Sequence, residues 1–236
     1  MFHYGLSYEQ TTIGLTTLSP QRYIDYINTF GSTNRNLLGN IGWSRDTRDS
    51  AIFTTEGTVQ RSFLEMSLPS SDQRYVKWTY QHQLYYPINR SLTLLMNGDI
   101  GVAGGYGGNS LPFFKNFYAG GPGSVRGFKA FSLGPQDAEA NVLGGTRKIS
   151  GGAEVLFPMP GAQADKSLRL TAFIDAGQVY GVSEKVKLGE LRYSAGIGLA
   201  WSSPFGPLKI SLAQPLNQKK GFDRVERLQL NFGTAF

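Results

Sequence analysis

Leu191-Arg192-Tyr193-Ser194-Ala195-Gly196-Ile197-Gly198-Leu199-Ala200-Trp201-Ser202 is the stretch that decides the fold class. Leu191, Tyr193, Ala195, Ile197, Leu199 and Trp201 share one face, and Arg192, Ser194, Gly196, Gly198, Ala200 and Ser202 share the other. A period of two with unlike faces is the mark of a β-strand. Its length exceeds the ~5–6 residues usual in globular sheets. It suits the ~9–11 residues that a tilted strand needs to cross a bilayer.

The pattern repeats outward from there. Near the end of the chain, Leu228, Leu230, Phe232 and Phe236 alternate with Arg227, Gln229, Asn231 and Gly233. Earlier, Val76, Trp78, Tyr80, Leu84 and Tyr86 oppose Lys77, Thr79, Gln81 and Gln83. Clusters of Gly, Pro, Asn, Asp and Ser divide the chain into ten candidate strands, near 2–10, 37–47, 57–68, 74–87, 92–105, 147–158, 168–180, 191–203, 207–217 and 225–236. Helical periodicity is nearly absent. A half-buried soluble sheet also alternates, but ten long strands with aromatics near their ends favour lipid on the apolar side. The expected fold is all-β: an antiparallel transmembrane barrel in one domain over 1–236. Long or polar connections (11–36, 106–146, 181–190, 218–224) alternate with shorter ones (48–56, 88–91, 159–167, 204–206), as in outer-membrane barrels. Only 69–73 is short where a long loop is due. Both termini are then expected on the short-turn, periplasmic side.

Composition agrees. The 236 residues include 17% charged and 13% aromatic residues, too apolar for a disordered chain. There is no Cys, so disulfide scaffolds and thiolate metal sites are excluded. No apolar run is long enough for a membrane helix. The mean hydropathy of −0.23 does not exclude a barrel, whose strands average two unlike faces. Met1-Phe2-His3-Tyr4 lacks the basic and apolar regions of a secretory signal, so an exported chain is expected to be a mature fragment.

The 106–146 loop carries Phe117-Tyr118-Ala119-Gly120-Gly121-Pro122-Gly123-Ser124-Val125-Arg126-Gly127-Phe128. A loop beyond ~12–15 residues is usually functional or disordered, and Phe113, Phe114, Phe117, Phe128 and Phe131 suit a packed one. Parity turns Glu154 away from Ala153, Val155 and Phe157. It likewise turns Asp175 away from Leu170, Ala172, Ile174 and Ala176. Both acids therefore face the lumen from consecutive strands. Either an inward-folded loop sets Arg126 between them, or Arg126 is a solvated loop residue and the acids line a wet lumen.

Other chemistries lack support. His3 and His82 are the two histidines, with no hydrolase signature and no metal-ligand spacing, so no catalytic residue, metal or cofactor is expected. Gly101–Gly108 lacks dinucleotide-loop spacing. Arg147-Lys148 and Lys219-Lys220 are short basic pairs, better suited to loop ends or lipopolysaccharide than to nucleic acid.

The loop string, with Gly120, Gly121, Val125, Arg126, Gly127 and Phe128, resembles the sixth-loop signature of the BamA family of outer-membrane protein assembly factors. The resemblance extends in order over Arg45–Gly57, Ala153–Pro160, Phe173–Tyr180, Leu191–Pro215 and the ending at Phe236. It implies the last ten strands of a sixteen-stranded barrel, with the periplasmic POTRA domains and first strands absent. It implies that Arg126 sits inside the barrel against Glu154 and Asp175. The series Leu228, Leu230, Phe232 and Phe236 resembles the terminal signal strand of such barrels. The implied function, without enzymatic chemistry, is insertion of β-barrel proteins into the bacterial outer membrane through a laterally opening seam. Implied partners are membrane lipids and lipopolysaccharide, nascent outer-membrane β-barrel proteins and accessory lipoproteins. A translocator of the TamA or two-partner-secretion type shares the loop signature. A passive diffusion pore and an outer-membrane hydrolase are rivals from other classes.

Overall fold

The computed structural model describes residues 1–17, 19–51, 53–161, 167–203 and 206–233. Phe236 and the 204–205 part of the last short turn lie outside the described residues. The strands are β1 (Phe2–Thr12), β2 (Thr33–Asp46), β3 (Gly57–Ser67), β4 (Tyr75–Pro87), β5 (Thr93–Gly105), β6 (Gly127–Phe128), β7 (Arg147–Pro158), β8 (Leu168–Tyr180), β9 (Arg192–Ser203), β10 (Gly206–Pro215), β11 (Val225–Glu226) and β12 (Leu228–Phe232).

Ten of them form one sheet in the order β1-β2-β3-β4-β5-β7-β8-β9-β10-β12, each strand antiparallel to its neighbour. The sheet is an open part-barrel. Among the described residues β1 and β12 do not pair. The alternation survives in three dimensions with the polarity of a membrane protein. Along β8, Thr171, Phe173 and Asp175 are buried while Ala172 and Ile174 are exposed. Tyr4, Leu6, Ile41, Ile174, Ile197, Leu212, Leu228 and Leu230 are each more than half exposed on the outer face. Apolar side chains outside and polar ones inside invert the soluble rule. An apolar face continued over ten strands requires lipid.

The buried apolar core lies inside the sheet. Phe117, Ala119, Val125, Phe128 and Leu133 of the 106–146 loop pack with Leu38, Tyr75, Ala103 and Val179 of the wall. One loop touches both edges of the sheet, reaching Glu9 on β1 and Gln229 on β12. The sheet therefore curls around it.

Two features depart from the sequence reading. The 11–36 connection contains helix α1 (Gln21–Phe30). It follows Pro20, which cannot continue a helix ladder upstream, and ends at Gly31 with φ 81°. Tyr23 stacks on Phe113 with ring centroids 4.0 Å apart, so tertiary contact holds a helix of marginal length. The stretch 225–236 is also not one strand as far as it is described. Arg227 interrupts it: β12 pairs with β10, whereas β11 pairs with β6 of the loop.

Candidate functional site

Register builds the receptor for Arg126. Glu154 on β7 stands opposite Phe173 on β8, and Asp175 stands two residues further along the same inward face. Gly152 is opposite Asp175, and a β-carbon there would lie 2.5 Å from Asp175 Oδ1. Phe173 faces Gly196 on β9, where a β-carbon would lie 2.6 Å from the ring. Glycines on both sides thus leave a recess floored by an aromatic ring and edged by two carboxylates.

The loop delivers a guanidinium into it. Gly120 and Gly121 have φ of 99° and 89°, a region that L side chains avoid. The turn they start is closed by Ser124 N–H donating to Gly121 O at 3.1 Å, and Ser124 Oγ accepts from Gly120 N–H at 2.7 Å. Val125 seats beside Gly177, and Arg126 follows. Arg126 Nε donates to Asp175 Oδ2 at 2.7 Å and NH2 to Asp175 Oδ1 at 2.9 Å, a two-toothed fork. Arg126 N–H donates to the same carboxylate at 3.0 Å, and NH1 reaches Glu154 Oε2 at 3.1 Å. The guanidinium carbon lies 3.3 Å from the Phe173 ring centroid. Arg126, Glu154 and Asp175 are 9%, 5% and 4% exposed. Burial works against the arginine's charge, but the hydrogen bonds and charges of Asp175 and Glu154 outweigh it and hold its pKa above the ordinary value. A cavity of about 490 Å³ beside the cluster is also lined by Arg61 of β3, Asp99 of β5 and Lys209 of β10. This arrangement can hold a loop.

Phe128 is fully buried, and Gly127 pairs with Glu226. Leu228, Leu230 and Phe232 point outward from β12 and are more than half exposed.

Sequence reasoning missed a second anchor. Lys115 Nζ pairs with Glu9 Oε2 at 3.0 Å and Glu65 Oε1 at 3.1 Å, beneath a hydrogen bond from Tyr75 OH to Glu65. Lys77 Nζ donates to Lys115 O at 2.9 Å. The acids lie 106 and 50 residues from Lys115, so no local pattern signals the contact. It also missed the buried pair Arg192–Asp223, at 2.6 Å. There the signal was present: Arg192 is a lone charge on the small, inward face of its strand.

This is the chemistry of an inward-folded loop in a membrane barrel, and the comparisons name its class. The Omp85 superfamily domain matches residues 2–236, and the chain belongs to that superfamily. It is 36% identical to the outer membrane protein assembly factor BamA of Neisseria meningitidis serogroup B, over 99% of this chain and 34% of that protein. It is 28% identical to a SAM50-like protein of Schizosaccharomyces pombe, over 82% of this chain and 42% of that one. The crystal structure of BamA from Haemophilus ducreyi lacking POTRA domains 1–3 superposes with a TM-score of 0.87 at 25% identity, covering this whole chain and 51% of that one. The chain thus spans about a third to a half of the relatives it matches.

Proposed function

We propose that residues 1–236 are the C-terminal part of the barrel of an outer-membrane protein assembly factor. In this reading the remaining strands and any periplasmic domains belong to the rest of the protein. The activity is the folding and insertion of β-barrel proteins into the outer membrane. The observation that carries the reading is the 36% identity to a BamA along 99% of the chain, lock residues included in the span. The open sheet supports it. An edge strand with unpaired N–H and C=O groups templates an incoming strand, and lipid makes those unpaired groups costly. The terminal strand offers such an edge, with an apolar outer face.

The chemistry is an exchange of hydrogen bonds between strands, and no covalent step is assigned. The Arg126–Glu154–Asp175 cluster holds the loop in the lumen while the seam opens. Nascent barrel proteins are the substrates, lipids and lipopolysaccharide surround the outer face, and accessory lipoproteins bind the complete machine. The test is reconstitution of the full-length protein in proteoliposomes with an unfolded barrel client. Client folding, read as heat-modifiable migration, should rise several-fold over empty vesicles. Ion conductance without client folding would favour a diffusion pore and overturn the proposal.

A further inference from the structure

Two observations away from the lock converge on the last strand. The first is main-chain. Val225 and Glu226 pair with Phe128 and Gly127, and Lys129 N–H donates to Arg224 O at 2.8 Å. The second is a side chain. Gln229 points inward from β12 and is 4% exposed. Its Oε1 accepts from Gly127 N–H at 3.3 Å, and its Nε2 donates to Phe128 O at 2.7 Å. The amide acts as an extra peptide group, so the two residues after Arg126 are gripped by β11 and by Gln229. Gly127 adopts φ 88°, and a β-carbon there would lie 3.1 Å from Ala213 Cβ on β10. Glycine lets the loop lie close enough to the wall for the amide to reach it.

We propose that Gln229 is a positioning residue that sets the register of the terminal strand against the seated loop. The significance of that strand as a seam rests on the function proposed above; the register claim does not. Facing alone leaves the register underdetermined. A slip of one residue would turn Leu228 or Leu230 into the lumen, which the pattern forbids. A slip of two keeps Leu228, Leu230 and Phe232 outward and Arg227, Gln229 and Asn231 inward, so the pattern permits it. It moves each side chain by ~7 Å along the strand. Among the described residues the ladder between β12 and β10 spans five pairs, a short run to oppose that slip. The Gln229 amide does. Arg227 has no acceptor for Gly127 N–H, and Asn231 is one methylene shorter. Loop seating and strand register are then one coupled state. Release of Arg126 frees the terminal strand to slide, and loss of Gln229 loosens the loop.

The test uses the full-length protein, purified in detergent, with cysteine pairs on β10 and β12. Ile210 faces Leu230 in the native register, whereas a slip of two would bring Phe232 or Leu228 opposite it. With Gln229 intact, the Ile210/Leu230 pair should be the one that cross-links. Gln229→Ala should raise slipped cross-links at least threefold, and Gln229→Glu, which keeps the acceptor but loses the donor, should fall between. Arg126→Ala should raise them too, and Gln229→Ala added to it should change nothing further. A pair at Ile41 and Leu64, facing residues of β2 and β3, reports that the wall stays folded. If Gln229→Ala leaves cross-linking in the native register with that control intact, or if the two substitutions add independently, the proposal is wrong. Because the readout needs no client, failure of the assembly function would leave this result standing, and the reverse also holds.

Discussion

Arg126 makes three hydrogen bonds to Asp175 and one to Glu154, so the two acids are unequal. Asp175→Asn should therefore cost more than Glu154→Gln. Arg126→Ala should cost most, because it removes the guanidinium that pairs with both buried carboxylates. Truncating one partner of a buried pair typically costs ~3–5 kcal/mol, and the cavity lined by polar groups beside the cluster should reduce that. Arg126→Lys should rescue part of the loss, since an ammonium lacks the planar fork. Urea unfolding of the full-length barrel in detergent ranks the four variants. At this scale parity in the sequence was informative, because it turned Glu154 and Asp175 to the same side. It was silent on Phe173, whose role as the floor of the recess depends on the register with Glu154 and on Gly196.

At the scale of elements, the loop is held at two points in the first half of its run. Lys115 anchors it to β1 and β3, and Arg126 anchors it to β7 and β8. Lys115→Met keeps much of the side-chain volume over the Tyr75 ring but abolishes both ion pairs. Protease cleavage near 106–116 should rise several-fold in that variant while the 120–128 turn stays protected. Equal protection in variant and parent would show that Lys115 is not an anchor. The β2–β3 turn supplies a pH test. Burial would raise the Asp49 pKa, but hydrogen bonds from Thr55 and Glu56 prevail and hold it below the ordinary value. Its contribution is thus fully present above the unfolded Asp pKa of ~3.9 and is lost as pH falls through the lower folded value. Cleavage of the turn by an acid-active protease should increase below about pH 4, and Asp49→Asn should flatten that dependence.

The long strands were legible because each carries its own alternation; about half of their observed ends coincide with expectation and the rest differ by one to four residues. Helix α1 was not. Its apolar positions Tyr23, Ile24, Tyr26, Ile27 and Phe30 do have helical spacing, but aromatic and β-branched residues also favour strands. Its stacking partner Phe113 lies on another loop. The interruption at Arg227 was equally hidden, since alternation continues across it and the change of partner from β6 to β10 is a tertiary event.

At the scale of the whole molecule, an apolar outer face, an interior filled by the packed loop and, among the described residues, two edges that do not pair with each other describe a wall rather than a closed vessel. Alternation along each strand marks the two faces, and the count of strands in the sheet follows from it. Alternation says nothing of closure, because edge complementarity leaves no mark in a single strand; only the resemblance to the last ten of sixteen strands bears on it. Residues 1–236 expressed alone should therefore not close. Cysteines placed on β1 and β12 should give little intrachain linkage in a monomer, and efficient linkage would mean that the ten strands form a barrel by themselves.

In the function proposed above, the free edge of β12 receives a client strand. The direct measurement is disulfide mapping in the full-length protein during assembly of a barrel client, with single cysteines at Leu228, Leu230 or Phe232. Links should form to the client's first strand and move two residues towards its N-terminus for each two-residue step towards the C-terminus of β12, as antiparallel pairing demands, and they should vanish when the client is released. A client that folds at the normal rate with no link to any of these positions, or with β12 covalently tied to the opposite seam strand, would contradict it.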